Sequence, residues 1–246
     1  MFKDSLPDKK IGYLSLRTYI ENQAYEFYRL APPGIMLVLM PCGLRDHTAK
    51  EVKRVVKSFD SFLDPLIARN VDIILQAGLP IPLLLGPKGH DALIHRIEDY
   101  TGRPAVSQLQ NVIAAMKSLN LRNVLVANRW TDRMNTSLTE FLARDEISVA
   151  AVFNHVMAPS ESHKMKSEET AQMAYDMALA GFRENPEADG LYLGGNAWLA
   201  QPVVERLEAE TGKPVICNNG ATLWDLLRRL GKWRPMPGRG FLLEQH

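Results

Sequence analysis

Short apolar runs and amphipathic stretches alternate along the chain. "KIGYLSL" and "GIMLVLMP" predict the first two strands, and "AKEVKRVVKSFDSFLDPLIARN" carries apolar residues at the spacing of one helix. "VDIILQAG" is an uninterrupted apolar run, the pattern of a strand buried on both faces. The helix "DALIHRIEDYTG", the short strand "PAVSQ" and the helix "LQNVIAAMKSLN" follow. The second part repeats the alternation. Its strands are "RNVLVAN", "SVAAVFNHV", "GLYLGG" and "PVICNN"; its helices are "TDRMNTSLTEFLARD", "EETAQMAYDMALAGFREN", "PVVERLEAETG" and "TLWDLLRRLG". Strands alternating with helices predict an α/β protein whose parallel sheets are flanked by helices.

The alternation contains a repeat. Thr101, Gly102 and Pro104 answer to Thr211, Gly212 and Pro214; "VDIILQAG" answers to "ADGLYLGG", and "KKIGYLS" to "LRNVLVA". Two similar halves are expected, residues 1–120 and 121–246, related by a pseudo-twofold axis. Ligands of such sheets sit beyond the carboxyl ends of strands. Gly78 and Gly195 both stand at such ends, and the expected symmetry would turn them towards one cleft between the halves.

Composition narrows the function classes. The 246 residues are 46% hydrophobic and 23% charged, with a formal net charge of +1, so a large core is affordable and no basic face suggests nucleic acid. No apolar run approaches membrane-spanning length, and "MFKDSLPDKK" lacks the core of a signal peptide, so a cytoplasmic location is expected. Cys42 and Cys217 form no disulfide framework and show no zinc spacing; free thiols and no metal are expected. "GPKGH" lacks the spacing of a phosphate loop. A homo-oligomer is compatible with the sequence and not demanded by it.

Candidate chemistry gathers at strand ends. In "ADGLYLGGNAWL" the strand stops at Gly194 and Gly195, followed by Asn196 and Trp198. Paired glycines there are either a tight turn or a cradle whose backbone N–H groups hold an anion. Gly78, Leu79 and Pro80 occupy the matching end in the first half. Asn218 and Asn219 end the last strand, where they either contact ligand or cap the next helix. Trp130 either lines the pocket or fills the core. Arg17 suits a carboxylate bidentately. Among the histidines, His155 follows a strand on the same edge and is the candidate acid or base. His90 and His47 are weaker candidates, and His163 lies in a polar run.

These strings, in order and over nearly the whole chain, resemble the aspartate/glutamate racemase superfamily. The nearest branch is the group of arylmalonate decarboxylases and maleate isomerases. "IGYLS", "VDIILQAG", "GRPAVSQLQNVIAAMKSLNLRNVLVANRWTDRMN", "ENPEADGLYLGG", "GKPVICNNGATLWDLL" and "PGRGFL" carry the likeness. It implies two Rossmann-like halves with the active site between them, acting on a small carboxylic acid without metal or organic cofactor. Departures are as informative. The resemblance places a catalytic cysteine at the end of one or both central strands, yet Gly78 and Gly195 (or Gly194) stand there. Leu79 and Pro80 replace hydroxyl residues of an oxyanion pocket, and Trp130 replaces a tyrosine. The expected activity is therefore a cofactor-independent lyase, decarboxylase-like, or an isomerase, working through an enolate-like intermediate without cysteine chemistry. Its apolar wall would be Leu79, Pro80, Trp130 and Trp198. The alternative is a small-carboxylate-binding protein that has lost catalysis.

Overall fold

The computed structural model describes residues 6–20, 22–162, 164–196 and 198–245, so His163 lies outside the described residues. The chain divides into two compact units, Met1–Gln110 and Asn111–His246, earlier than the boundary at residue 120 that the repeat suggested.

The first unit holds a parallel four-stranded sheet. Its strands are β1 (Lys9–Ser15), β2 (Ile35–Pro41), β3 (Ile73–Ala77) and β4 (Ala105–Ser107), in the order β2-β1-β3-β4. All five residues of β3 are buried, as its unbroken apolar run predicts. Helices α2 (Ala49–Lys57), α3 (Phe59–Ala68) and α4 (Pro80–Thr101) bury Val55, Phe59, Leu63, Leu66 and Ile97 against Leu14 and Ile74 of the sheet.

The structure differs from the sequence expectation at three places here. A helix α1 (Asn22–Leu30) occupies a stretch for which the sequence pattern predicts no element. The long helix expected over residues 49–70 is two helices, broken at Ser58 (φ −97°, ψ 11°). The stretch after Gly78 is helical from Pro80, with a kink at Gly86 (φ 71°, ψ 173°). Pro80 and Pro82 fall in the first turn, where backbone N–H groups have no intrahelical partner, so proline costs little there.

The second unit repeats the plan. β5 (Asn123–Asn128), β6 (Ser148–Asn154), β7 (Gly190–Leu193) and β8 (Val215–Cys217) form a parallel sheet in the equivalent order β6-β5-β7-β8. Helix α5 (Gln108–Ser118) runs across the division between the units ahead of β5, and between and after the strands come α6 (Asp132–Ala143), the short α7 (Pro159–Ser162), α8 (Ser167–Glu184), α9 (Gln201–Thr211), α10 (Asn218–Arg229) and α11 (Phe241–Gln245). Ala174 and Ala178 of α8 and Val204 and Leu207 of α9 pack on Leu125, Leu191 and Leu193. Among the described residues no helix is long and apolar enough to cross a membrane.

Glu208 ties the C-terminal segment to this sheet. Its carboxylate accepts hydrogen bonds from Val215 N–H and Phe241 N–H, both at 2.7 Å, and the residue is only 4% exposed. Burial, reinforced by Glu244 and Glu205, raises its pKa to about 7 against the two N–H donations. A carboxyl with a raised folded-state pKa contributes stability that is fully present below its unfolded pKa, near 4.5, and lost as pH rises through about 7. The shift corresponds to roughly 3 kcal/mol. Wild-type unfolding free energy should fall between pH 5 and pH 8. Glu208→Gln should flatten that fall, which denaturant titrations at the two pH values measure directly.

Candidate active site

At the end of β7 the backbone donors are already engaged. Gly194 N–H extends the ladder to Ala127 O (2.8 Å), and Gly195 N–H points to Asn218 Oδ1 (3.4 Å). Asn218 is 1% exposed, and the same oxygen accepts the Tyr192 hydroxyl at 2.5 Å. Burial, with Cys217 nearby, holds the Tyr192 pKa well above its ordinary value, so the phenol stays protonated as that donor. These contacts correct two expectations. Gly194 and Gly195 do not present free N–H groups as a cradle. Asn218 does not cap a helix but ties the Gly195 turn to β7; the N-cap of α10 is Cys217, whose sulfur accepts from Gly220 N–H.

Both glycines are required for different reasons. A Cβ on Gly194 would lie 2.9 Å from Trp130 Cη2 and 3.2 Å from Asn128 Cβ, so Trp130 packs directly on the backbone. Gly195 adopts φ +111°, which side chains rarely adopt. Around the position of a Cβ there, the nearest atoms among the described residues are Trp130 Nε1 and Trp198 Nε1, each at 3.9 Å.

Two local devices fix those indoles. Asn128 Oδ1 accepts Trp130 N–H at 2.9 Å, an Asx turn, while Asn128 Nδ2 donates to Asn135 Oδ1 at 2.7 Å. Asn154 Nδ2 donates to Trp130 O at 3.2 Å, and the Trp130 ring leans on Tyr192 with centroids 6.4 Å apart. Trp198 is 1% exposed, and the Arg129 guanidinium lies 4.8 Å from its ring centroid. Arg129 is itself 7% exposed and reaches the sulfurs of Met157 (3.8 Å) and Met165 (3.6 Å).

The first unit has a counterpart with a different outcome. Gly78 N–H donates to Gln108 Oε1 at 3.0 Å, as Gly195 N–H does to Asn218. Gly78 has φ +94°, but Leu16 Cδ2 lies 1.6 Å from where its Cβ would stand. Leu79 and Pro80 are buried at the start of α4. This strand end is filled by Leu16, whereas space at Gly195 is bordered by two indole N–H groups.

The remaining candidates are more dispersed. Arg17 and Asn219 are half-buried, as is Asn196 beside Gly195. His155 donates its backbone N–H to Asn128 O (3.0 Å), but its side chain is exposed and makes no hydrogen bond among the described residues. His90 is buried with Nε2 2.8 Å from Ser107 Oγ. Both thiols are buried; burial raises the Cys42 pKa to about 12, and Cys217 donates to Gln201 Oε1 at 3.6 Å. No cluster of metal-ligating side chains occurs among the described residues. Sequence reasoning missed Arg129, Tyr192 and Asn128. The repeat held a signal for the first, because the alignment of "KKIGYLS" with "LRNVLVA" carries Arg17 onto Arg129.

The family model described as arylmalonate decarboxylase matches residues 28–243. The arylmalonate decarboxylase of Bordetella bronchiseptica is 24% identical over 212 residues, covering 85% of this chain and 87% of that one. A liganded double mutant of arylmalonate decarboxylase superposes with a TM-score of 0.85 at 21% identity, over 97% of this chain and 100% of the other. A maleate cis-trans isomerase of Nocardia farcinica, solved with a covalently bound succinylcysteine intermediate, gives a TM-score of 0.84 at 16% identity, over 97% and 99%. With a family model spanning most of its length, the chain belongs to the arylmalonate decarboxylase family.

Proposed function

We propose that the protein is a lyase or isomerase acting on a small carboxylic acid through an enolate-like intermediate, without an organic cofactor and without a thiol at the ends of β3 and β7. The observation that carries this reading is the Gly195 turn, held by Asn218 and Tyr192 and bordered by two indole N–H groups. In a decarboxylation the bond from the α-carbon to one carboxylate breaks and CO2 leaves. The electron pair spreads into the remaining carboxylate as an enediolate, and a proton then reaches the α-carbon. The demanding requirement is a set of fixed donors where negative charge grows, and rigid donors shielded from water do this best. The final proton can come from solvent or from the exposed His155. The named substrates of the relatives, an arylmalonate and maleate, set the size and charge of the first compounds to test.

A second reading, binding without turnover, draws on Leu16 filling the side-chain space at Gly78. One experiment separates the two. The purified protein is incubated in D2O with phenylmalonate, maleate and phenylacetate, and followed by NMR for CO2 loss, for isomerisation, and for deuterium entering the α-carbon of phenylacetate. Any of the three reactions supports the enzyme. Binding of phenylacetate with none of them supports the carrier, and neither binding nor reaction removes both readings.

A further inference from the structure

The backbone donors at the Gly195 turn are committed, Gly194 N–H to Ala127 O and Gly195 N–H to Asn218 Oδ1. The indoles carry the remaining donors identified at the Cβ position of Gly195. Trp198 Nε1 is buried and finds no acceptor among the described residues. Buried indole N–H groups normally have a partner, because leaving one unpaired costs the desolvation of the donor. This donor, together with Trp130 Nε1, lies 3.9 Å from the point where a side chain on Gly195 would begin. Arg129 adds to the arrangement from behind. A cation on the face of Trp198, 4.8 Å from the centroid, draws ring electron density towards itself and makes the N–H a stronger donor. It also places a positive charge in a buried setting, where its field is little screened.

We infer that Trp130 and Trp198 bind an anion through their indole N–H groups, and that the ligand is a carboxylate with one oxygen over Gly195, in the space a side chain there would enter. Arg129 is a positioning residue acting through Trp198. Resting on the reading given under the proposed function, this changes the part played by the two tryptophans, from an apolar wall to the donors that select a negatively charged oxygen. It also explains why residue 195 must be glycine beyond its backbone angle: a side chain would occupy the oxygen's place.

The test is a set of 1H–15N spectra of protein with labelled tryptophan, titrated with phenylacetate and, as the uncharged control, phenylacetamide. The chain has four tryptophans, Trp130, Trp198, Trp224 and Trp233, hence four indole N–H signals. Phenylacetate should move two of them downfield with one shared midpoint, and phenylacetamide should move them far less. Trp130→Phe and Trp198→Phe should each delete one of the moving signals and weaken phenylacetate at least tenfold. Arg129→Met should weaken it while leaving both signals present. The inference is overturned if phenylacetate binds without moving the Trp130 and Trp198 signals, or if it does not bind at all. Turnover in the D2O incubation alongside unmoved indole signals would sink this inference while leaving the proposed function standing. The wild-type titration needs no variant, so misfolding of Trp198→Phe would not weaken the test.

Discussion

Gly78→Ala should destabilise the protein by about 4 kcal/mol, and Gly195→Ala by about 1–3 kcal/mol, although the two glycines hold matching places in the repeat. Both have positive φ, so both substitutions incur backbone strain. Only Gly78 adds a collision: its Cβ would fall 1.6 Å from Leu16 Cδ2 and 2.6 Å from Leu16 Cγ. Leu16 is buried, so it cannot swing aside without displacing its neighbours. At Gly195 the nearest atoms stand at 3.9 Å, an ordinary contact. Urea unfolding of the two variants measures the difference. Adding Leu16→Ala to Gly78→Ala should recover the steric part of the loss and leave the strain. Equal losses for the two glycines would show that Leu16 does not fill the first strand end. The same asymmetry has a functional side, since the space beside residue 195 is open and that beside residue 78 is filled.

Gly195→Val should remove carboxylate binding with a far smaller effect on folding. The Cβ fits, but valine's two methyl groups then project into the space beside Trp130 Nε1 and Trp198 Nε1. They displace a charged oxygen and offer no acceptor to the buried donors. Hydrogen bonds to charged groups contribute about 1.5–3 kcal/mol each, so losing two means a hundredfold or greater loss of affinity. Calorimetry with phenylacetate gives the number, and the urea midpoint reports the strain. Lys88→Ala, on an exposed residue of the "GPKGH" stretch, is the control and should leave affinity unchanged.

The sheet plan was legible because each strand is a short apolar run between turn residues, and because the repeat makes each half a check on the other. The helices missed or misjoined have physical reasons. Helix α1 buries Gln23, Glu26 and Phe27, so it shows little apolar stripe. The break at Ser58 leaves Val55, Phe59, Leu63 and Leu66 at unbroken helical spacing, so periodicity cannot detect it. The prolines after Gly78 read as loop because a sequence does not reveal that they sit in a first turn. At the site, glycines at strand ends were visible as punctuation. What surrounds them was not. That Leu16 fills one and two indole nitrogens border the other depends on contacts between segments far apart in the chain. Asn218 read as either a ligand contact or a cap because one of its partners, the Tyr192 hydroxyl, belongs to the neighbouring strand. The repeat aligns Arg129 with Arg17, but its burial against Trp198 is visible only in the structure.

The central claim is that a carboxylate is held and activated at the Gly195 turn with no thiol taking part. The most direct test is the rate of α-deuterium incorporation into phenylacetate in D2O, compared between the Cys42→Ser/Cys217→Ser protein and the same protein carrying Gly195→Val. With both proteins shown to be folded, the cysteine-free protein should exchange at close to the wild-type rate, and the Gly195→Val derivative should show no exchange above background. Loss of exchange in the folded cysteine-free protein, or undiminished exchange with valine at residue 195, would contradict the claim.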